Sequence, residues 1–407
     1  MATTESHDPA KVTRSQDDVL AEKTAELSVS VPNNSAEEKE PSQAEKSTEA
    51  KATLVTTKPE DGSVLKPFPY PLPTCKPTPH EELKPEESKK YDELLDIVKG
   101  WTEVATKSAT NSPKEALNDQ DRLFLTRDCL LRYLRATKWD VAAAGKRLMA
   151  TLTWRREYGL LQFTHDYISP ENETGKQVIL GYDNEARPCL YLNPSKQNTD
   201  RTPRQLQHLF YNMERVIDLM GPGQESLALL INFMDTRRGQ GASIAQARET
   251  MYVLQNHYPE RLGRALITER ESKCSRTNYV QLKLTLRIVP WYITTFFKLI
   301  SPFIDPITRT KLKFNEPMAN YVPAEQLLTP FGGKVEFEYE HDVYWPALDE
   351  LCTIRRNDYY DRWVKAGKQI GENEAYLRGG DAKCLNGTFS GIDFKEGFTK
   401  NQLEVSS

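Results

Sequence analysis

Residues 288–316 read IVPWYITTFFKLISPFIDPITRTKLKFNE, and the rest of the chain is understood outward from them. Between Trp291 and Ile300 nearly every side chain is aromatic or aliphatic, while Thr294, Thr295, Lys298 and Ser301 fall at helical spacing along one narrow stripe. The pattern predicts a short helix that is apolar almost all round. Pro290 suits its start and Pro302 its stop, so it is about 18 Å long at about 1.5 Å per residue, far short of a bilayer core of about 30 Å. Such a helix must be buried by protein or lie against lipid. Directly after it, Asp305 can cap a second helix with Pro306 at its first position. The free backbone amides there, the Thr308 hydroxyl and the Lys311 ammonium can converge on an anion. For these residues alone an ordinary capped turn is the commoner outcome. Taken together, the two segments outline an amphiphile, with cover for an apolar tail beside a site for a phosphate-bearing head.

Composition narrows the rest. The chain has 407 residues, of which 38% are hydrophobic, low for a wholly globular protein, so part of it is expected to stay outside the fold. A formal charge of -4 gives no basic excess, which argues against a nucleic-acid partner and makes any anion site local. Cys75, Cys129, Cys189, Cys274, Cys352 and Cys384 are scattered, without a CxxC pair or zinc spacing, and read as reduced thiols. The N-terminus has no apolar run and no stretch reaches about 18 apolar residues. A cytoplasmic protein that meets membranes only peripherally is therefore expected.

Four regions follow along the chain. Residues 1–84 read as a disordered tail and a proline-rich linker: the first 60 or so carry few large apolar side chains. Prolines at 67, 69, 71, 73, 77 and 79 then favour an extended strap leading into the fold. Residues 85–164 read as a helical module. Tyr91, Leu94, Leu95 and Val98 share one helix face, Thr126 can cap 127–136, and Asp140 can cap a helix that runs to Gly159. Arg132, Arg135 and Lys138 form a basic edge at spacings of three, expected to be solvated.

Residues 165–335 read as an α/β domain. Two apolar runs within 177–192 flank the turn from Asp183 to Arg187, a helix opens at Thr202-Pro203, and 227–233 is a buried strand. A helix over about 243–257 and a strand at Ala265-Leu266-Ile267 follow, and this alternation predicts a mostly parallel sheet covered by helices. Residues 336–407 read as a short strand (VEFEYE, from 335), a helix containing Trp345 and Leu348, and a flexible tail. No GxGxxG, P-loop, GxSxG or HExxH motif is present, and His257 has no nucleophile or partner base at readable spacing. A binding protein is favoured over an enzyme, with no catalytic residue and no metal site.

At this point a resemblance can be stated. LLRYLRATKWDV, WRREYG, QNHYPERLGRALI, PWYITTFFKLISPFIDPITRTKL, FGG and HDVYWPAL resemble, in order, the fungal CRAL-TRIO proteins of the yeast secretory phosphatidylinositol-transfer type, nearest their drug-resistance-associated branch. The resemblance covers about residues 85–365. It implies an all-helical N-terminal module followed by the CRAL-TRIO lipid-binding fold, with an apolar pocket closed by a gate helix. That gate matches 290–301, with Trp291, Phe296, Phe297 and Ile300 as its apolar wall. It further implies that Glu260, Thr308 and Lys311 hold an inositol phosphate headgroup. Of a basic pair in the helical hairpin only Lys138 remains, because Thr137 takes the other position. The implied activity is binding and transfer of phosphatidylinositol, with a sterol as a second ligand, transient membrane contact and coupling to a lipid kinase. A monomer is expected, with no cofactor beyond the bound phospholipid, at the endoplasmic reticulum, lipid droplets or cell periphery. The alternative is a lipid sensor or scaffold that does not transfer.

The chain departs from the family between Ile267 and Pro290, where residues 270–288 read as an insertion. Arg270, Lys273, Arg276, Lys283 and Arg287 against Glu271 would suit a basic loop meeting anionic membrane. The favoured reading is a translated intron, because Arg-Glu and Thr-Asn-Tyr can be coded by donor-like and branch-like sequences.

Overall fold

The computed structural model describes residues 63–233, 236–237, 240–268 and 309–387. The tail over residues 1–62, the gate residues Trp291, Phe296, Phe297 and Ile300, Thr308, and the insertion at 270–288 lie outside the described residues.

The helical module forms its long helices as its sequence dictates, but it is not all-helical, because a two-stranded ribbon separates the first helix from the rest. Helix α1 (Pro85–Lys99) buries Tyr91, Leu94, Leu95 and Val98, the four residues of its apolar stripe. A two-stranded antiparallel ribbon, β1 (Glu103–Ala105) and β2 (Lys114–Ala116), leads to the short α2 (Asp119–Phe124). The Thr126 side chain then accepts from Cys129 N and starts α3 (Arg127–Ala136). Asp140 accepts from Ala143 N and starts α4 (Val141–Glu157), after which Gly159 takes a φ of 67°. Leu94, Leu130, Leu134, Leu148 and Leu152 meet in one core, each burial contributing about 1.5–3 kcal/mol before entropy is subtracted.

The second body is a sheet under helices. Helix α5 (His165–Asn172) precedes β3 (Gln177–Tyr182) and β4 (Pro188–Leu192), which pair antiparallel around the predicted turn. Helix α6 (Pro203–Leu219) crosses to β5 (Leu227–Asn232), and α7 (Ile244–His257) crosses to β6 (Leu262–Thr268). Strand β7 (Leu312–Phe314) completes the order β3-β4-β5-β6-β7, and every pairing from β4 onward is parallel. Each parallel step needs a crossover; α6 supplies it from β4 to β5 and α7 from β5 to β6. Phe210, Met213 and Val216 of α6 are buried in the core it shares with the sheet. Gly181 in β3 sits at φ 74°, and a Cβ there would lie 2.2 Å from Gln326 O, so the backbone approach needs glycine.

Two predictions fail at the C-terminal end. VEFEYE makes no strand; it is met only by isolated bridges, Val64 with Phe337 and Leu328 with Val335. Nor is the chain beyond the Trp345 helix a flexible tail as far as Gly387. Helix α8 (His341–Lys365) is followed by α9 (Glu374–Leu377), and this segment returns to the helical module, with Gly371 N donating to Leu125 O and Arg127 N to Glu372 O. The proline strap turns at Leu72–Cys75, where Cys75 N donates to Leu72 O, and is tied down. Tyr182 Oη and Arg355 Nη2 both donate to Pro69 O, the Arg355 guanidinium lies 4.5 Å above the Tyr70 ring, and Cys75 is buried.

Candidate functional site

The hairpin of α3 and α4 is pressed against the end of α7 and the turn that follows. Tyr133 Oη donates to His257 O at 3.2 Å and Arg147 Nε to Asn256 O at 3.1 Å. The His257 ring stacks on Trp154 with centroids 4.4 Å apart, and its Nδ1 lies 3.0 Å from Thr151 Oγ1. Burial, then Arg147 and Arg155, push its pKa down to about 3, so the ring is neutral and occupied in packing. Between the two bodies lies a cavity of about 60 Å³ whose lining includes Arg132, Arg155, Glu214, Tyr258 and Arg261. It has room for a few waters and none for an acyl chain.

The turn after α7 presents Glu260. Its φ of 59° is left-handed, a conformation uncommon for a residue with a Cβ and one that persists where surroundings enforce it. Its carboxylate is gripped from the helical module, with Arg135 Nε donating to Glu260 Oε2 at 2.5 Å. Arg135 Nη2 donates to Glu225 Oε2 at 3.1 Å, and Arg132 Nη1 reaches the same oxygen at 2.8 Å. Arg132 Nη2 then meets Glu374 Oε1 at 2.7 Å, and His80 of the strap meets Glu225 Oε1 at 3.0 Å. The expected solvated basic edge is thus corrected. Arg132 is 2% exposed, and it and Arg135 are bound in a carboxylate network because α9 and the loop before β5 close over that helix face. Burial alone would raise the Glu225 pKa, but His80, Arg132 and Arg135 outweigh it and hold the carboxyl well below its usual range.

Lys311 stands at the same corner. Its Nζ donates to Leu262 O at 2.7 Å, two residues after Glu260, and its carbonyl accepts from Ala265 N, which sets β7 beside β6. The fold thereby brings Glu260 and Lys311 to the start of β6. Lys138 is exposed at the hairpin tip, at φ 54°, three residues after Arg135. The neighbouring Thr137 hydroxyl is turned inward, donating to the Tyr133 and Leu134 carbonyls. Sequence reasoning missed His80, Glu225 and Glu374 and misread Arg132. One signal was present: Arg132 lies three residues after Cys129 and amid leucines, and a charge on a buried stripe demands partners.

Family models match both the helical module and the sheet that it is docked on. The CRAL/TRIO N-terminal domain matches residues 90–150, and the CRAL/TRIO domain matches 172–270 and 279–333. The chain belongs to the CRAL-TRIO family, as its motifs led one to expect. Within it, the chain stands with fungal lipid-transfer proteins. It is 37% identical over 284 residues to the phosphatidylinositol transfer protein PDR17 of Saccharomyces cerevisiae, covering 67% of this chain and 76% of that protein. It is 47% identical over 322 residues to a CRAL-TRIO domain-containing protein of Schizosaccharomyces pombe, covering 79% of this chain but only 30% of that protein. The SEC14 cytosolic factor of Candida glabrata is 29% identical over 51% of this chain and 71% of its own length. Among solved structures, the crystal structure of Sfh5 aligns over 69% of this chain and 100% of its own, with a TM-score of 0.43 at 15% identity. Among the described residues no helix is long and apolar enough to cross a membrane.

Proposed function

We propose that this chain binds phosphatidylinositol in its CRAL-TRIO domain and carries it between membranes, supporting phosphoinositide synthesis and lipid homeostasis. The observation that carries the reading is the 37% identity to a protein named for phosphatidylinositol transfer, 76% of which this chain covers. The corner at β6 supports it, because a carboxylate at Glu260 can accept from inositol hydroxyls and an ammonium at Lys311 can meet a phosphate. Moving a lipid exchanges one apolar home for another, each CH2 being worth about 0.8 kcal/mol in either. The acyl chains therefore nearly cancel, and the headgroup decides which lipid is taken. A lipid lacking the phosphate-inositol pattern would forgo these polar contacts. No covalent step is required.

The test is transfer of labelled phosphatidylinositol between vesicles. Lys311→Ala is expected to abolish transfer while circular dichroism and the melting temperature stay near wild type; unchanged transfer removes Lys311 from the site. A second reading, a lipid sensor or scaffold, is favoured by the fission-yeast relative, in which the matched region is 30% of a longer protein. Lipid that co-purifies with the chain but is never transferred would select it, and mass spectrometry of that lipid would also show whether a sterol is bound. The break in the family match at 271–278 falls within residues 270–288 and supports reading that stretch as an insertion.

A further inference from the structure

Glu260 sits on a turn at a left-handed φ of 59°. One of its oxygens, Oε2, is taken by Arg135 Nε at 2.5 Å, and among the described residues Oε1 has no hydrogen-bond partner. Arg135 is itself fastened from behind. Its Nη2 is held by Glu225 Oε2 at 3.1 Å, and Glu225 is 8% exposed and further secured by Arg132 at 2.8 Å and His80 at 3.0 Å. A planar guanidinium fixed at one arm can orient a carboxylate at the other, which an ammonium on a flexible stem does less well.

We propose that Arg135 is a positioning and specificity-determining residue for inositol-lipid recognition. It holds Glu260 in one rotamer so that Oε1 accepts from the hydroxyls of a cyclitol headgroup, and it cancels the carboxylate's charge. The inference rests on the headgroup reading of Glu260 given above. The second effect carries the selectivity. A bare carboxylate would repel an anionic inositol phosphate and attract a quaternary ammonium, whereas the neutralised pair does neither and keeps the hydrogen bond.

The experiment equilibrates the full chain with vesicles containing equal phosphatidylinositol and phosphatidylcholine, re-isolates the protein and measures the ratio of the two bound lipids by mass spectrometry. R135Q is expected to lower that ratio about tenfold, the size of one charge-assisted hydrogen bond. E260Q lowers it too, and the double variant falls no further than E260Q alone. R135K gives an intermediate ratio, because it restores the charge without the fork, and it carries the test should R135Q not fold. R155Q serves as the structural control. It breaks the Arg155–Glu214 pair, 3.0 and 3.1 Å, which joins the same two bodies away from Glu260, and it is expected to lower the melting temperature while leaving the ratio unchanged. A wild-type ratio in R135Q, or an equal fall in R155Q, overturns the positioning role. A wild-type ratio in E260Q instead overturns the headgroup reading on which it rests.

Discussion

Arg132 and Arg135 stand three residues apart on one helix and share Glu225, yet they live in different solvents. The Arg132 side chain is 3% exposed and closed between Glu225 and Glu374, whose carboxylate also accepts from the Thr126 hydroxyl. Arg135 is 27% exposed and reaches out to Glu260, itself 36% exposed. The same charge chemistry, moved by one helical turn, serves cohesion in the first case and, on the proposal above, orients a headgroup-facing carboxylate in the second. The difference lies in desolvation. A buried carboxylate–guanidinium pair cannot be opened cheaply, whereas a pair near the surface adds little to stability and leaves its outer carboxylate oxygen open to solvent.

The strongest way to break that contrast is at the buried end. Glu374→Ala leaves Arg132 without one partner and removes the carboxylate that Arg261 and Arg378 also face. Removing one member of a buried pair costs about 3–5 kcal/mol, so urea unfolding near pH 7 should show a loss of that order. A loss under about 1 kcal/mol would mean that this network is no tighter than a surface one.

A smaller effect follows from His257 and concerns acid. Its pKa is pushed from 6.5 down to about 3, by burial first and then by Arg147 and Arg155. Below about 6.5 the unfolded chain takes up a proton that the folded one refuses, so the unfolded state binds more protons and stability falls as pH drops toward 3. The slope approaches about 1.4 kcal/mol per pH unit. His208 is shifted in the same direction, by burial and then by Lys176, and adds to the loss. Glu225 and Glu374 are held low, and their contribution is lost only below the ordinary carboxyl value of 4.5. His257→Phe should flatten the stability profile between about pH 6 and 5 by up to one proton. An unaltered slope would show that His257 does not titrate differently on unfolding.

The smallest effect on stability belongs to the exposed end. A double-mutant cycle on Arg135 and Glu260 should return a coupling below about 1 kcal/mol in unfolding, since pairs near solvent contribute little. The same two residues are expected to dominate lipid selectivity. A coupling of several kcal/mol would place the pair with the buried network instead.

Much of the fold was legible because it is written in local periods. The stripe of Tyr91, Leu94, Leu95 and Val98, the caps at Thr126 and Asp140, and the alternation of β4, α6, β5, α7 and β6 need only neighbouring residues to be recognised. VEFEYE shows why a correct period is insufficient. Its Val335 and Phe337 alternate with glutamates as a strand should, but Leu328 and Val64 offer single bridges in place of a ladder. Conversely, Leu312–Phe314 is a strand only because the edge of β6 receives it. Glu260 and Lys311 were legible as site candidates through the family motifs that contain them. Thr308 and the gate fall outside the described residues.

By itself, the sequence determined the six longest helices, the strands β3 to β6, the family, and which polar residues were candidates for a headgroup. Those rest on hydrogen bonds and apolar faces repeating within a few residues. The tertiary structure alone decided which charges meet. Arg135 and Glu260 are 125 positions apart and Arg132 and Glu374 are 242 apart, and no local pattern encodes such pairs. Long-range closure also sets burial, and burial decides whether an arginine is closed into a clamp or left partly open to solvent.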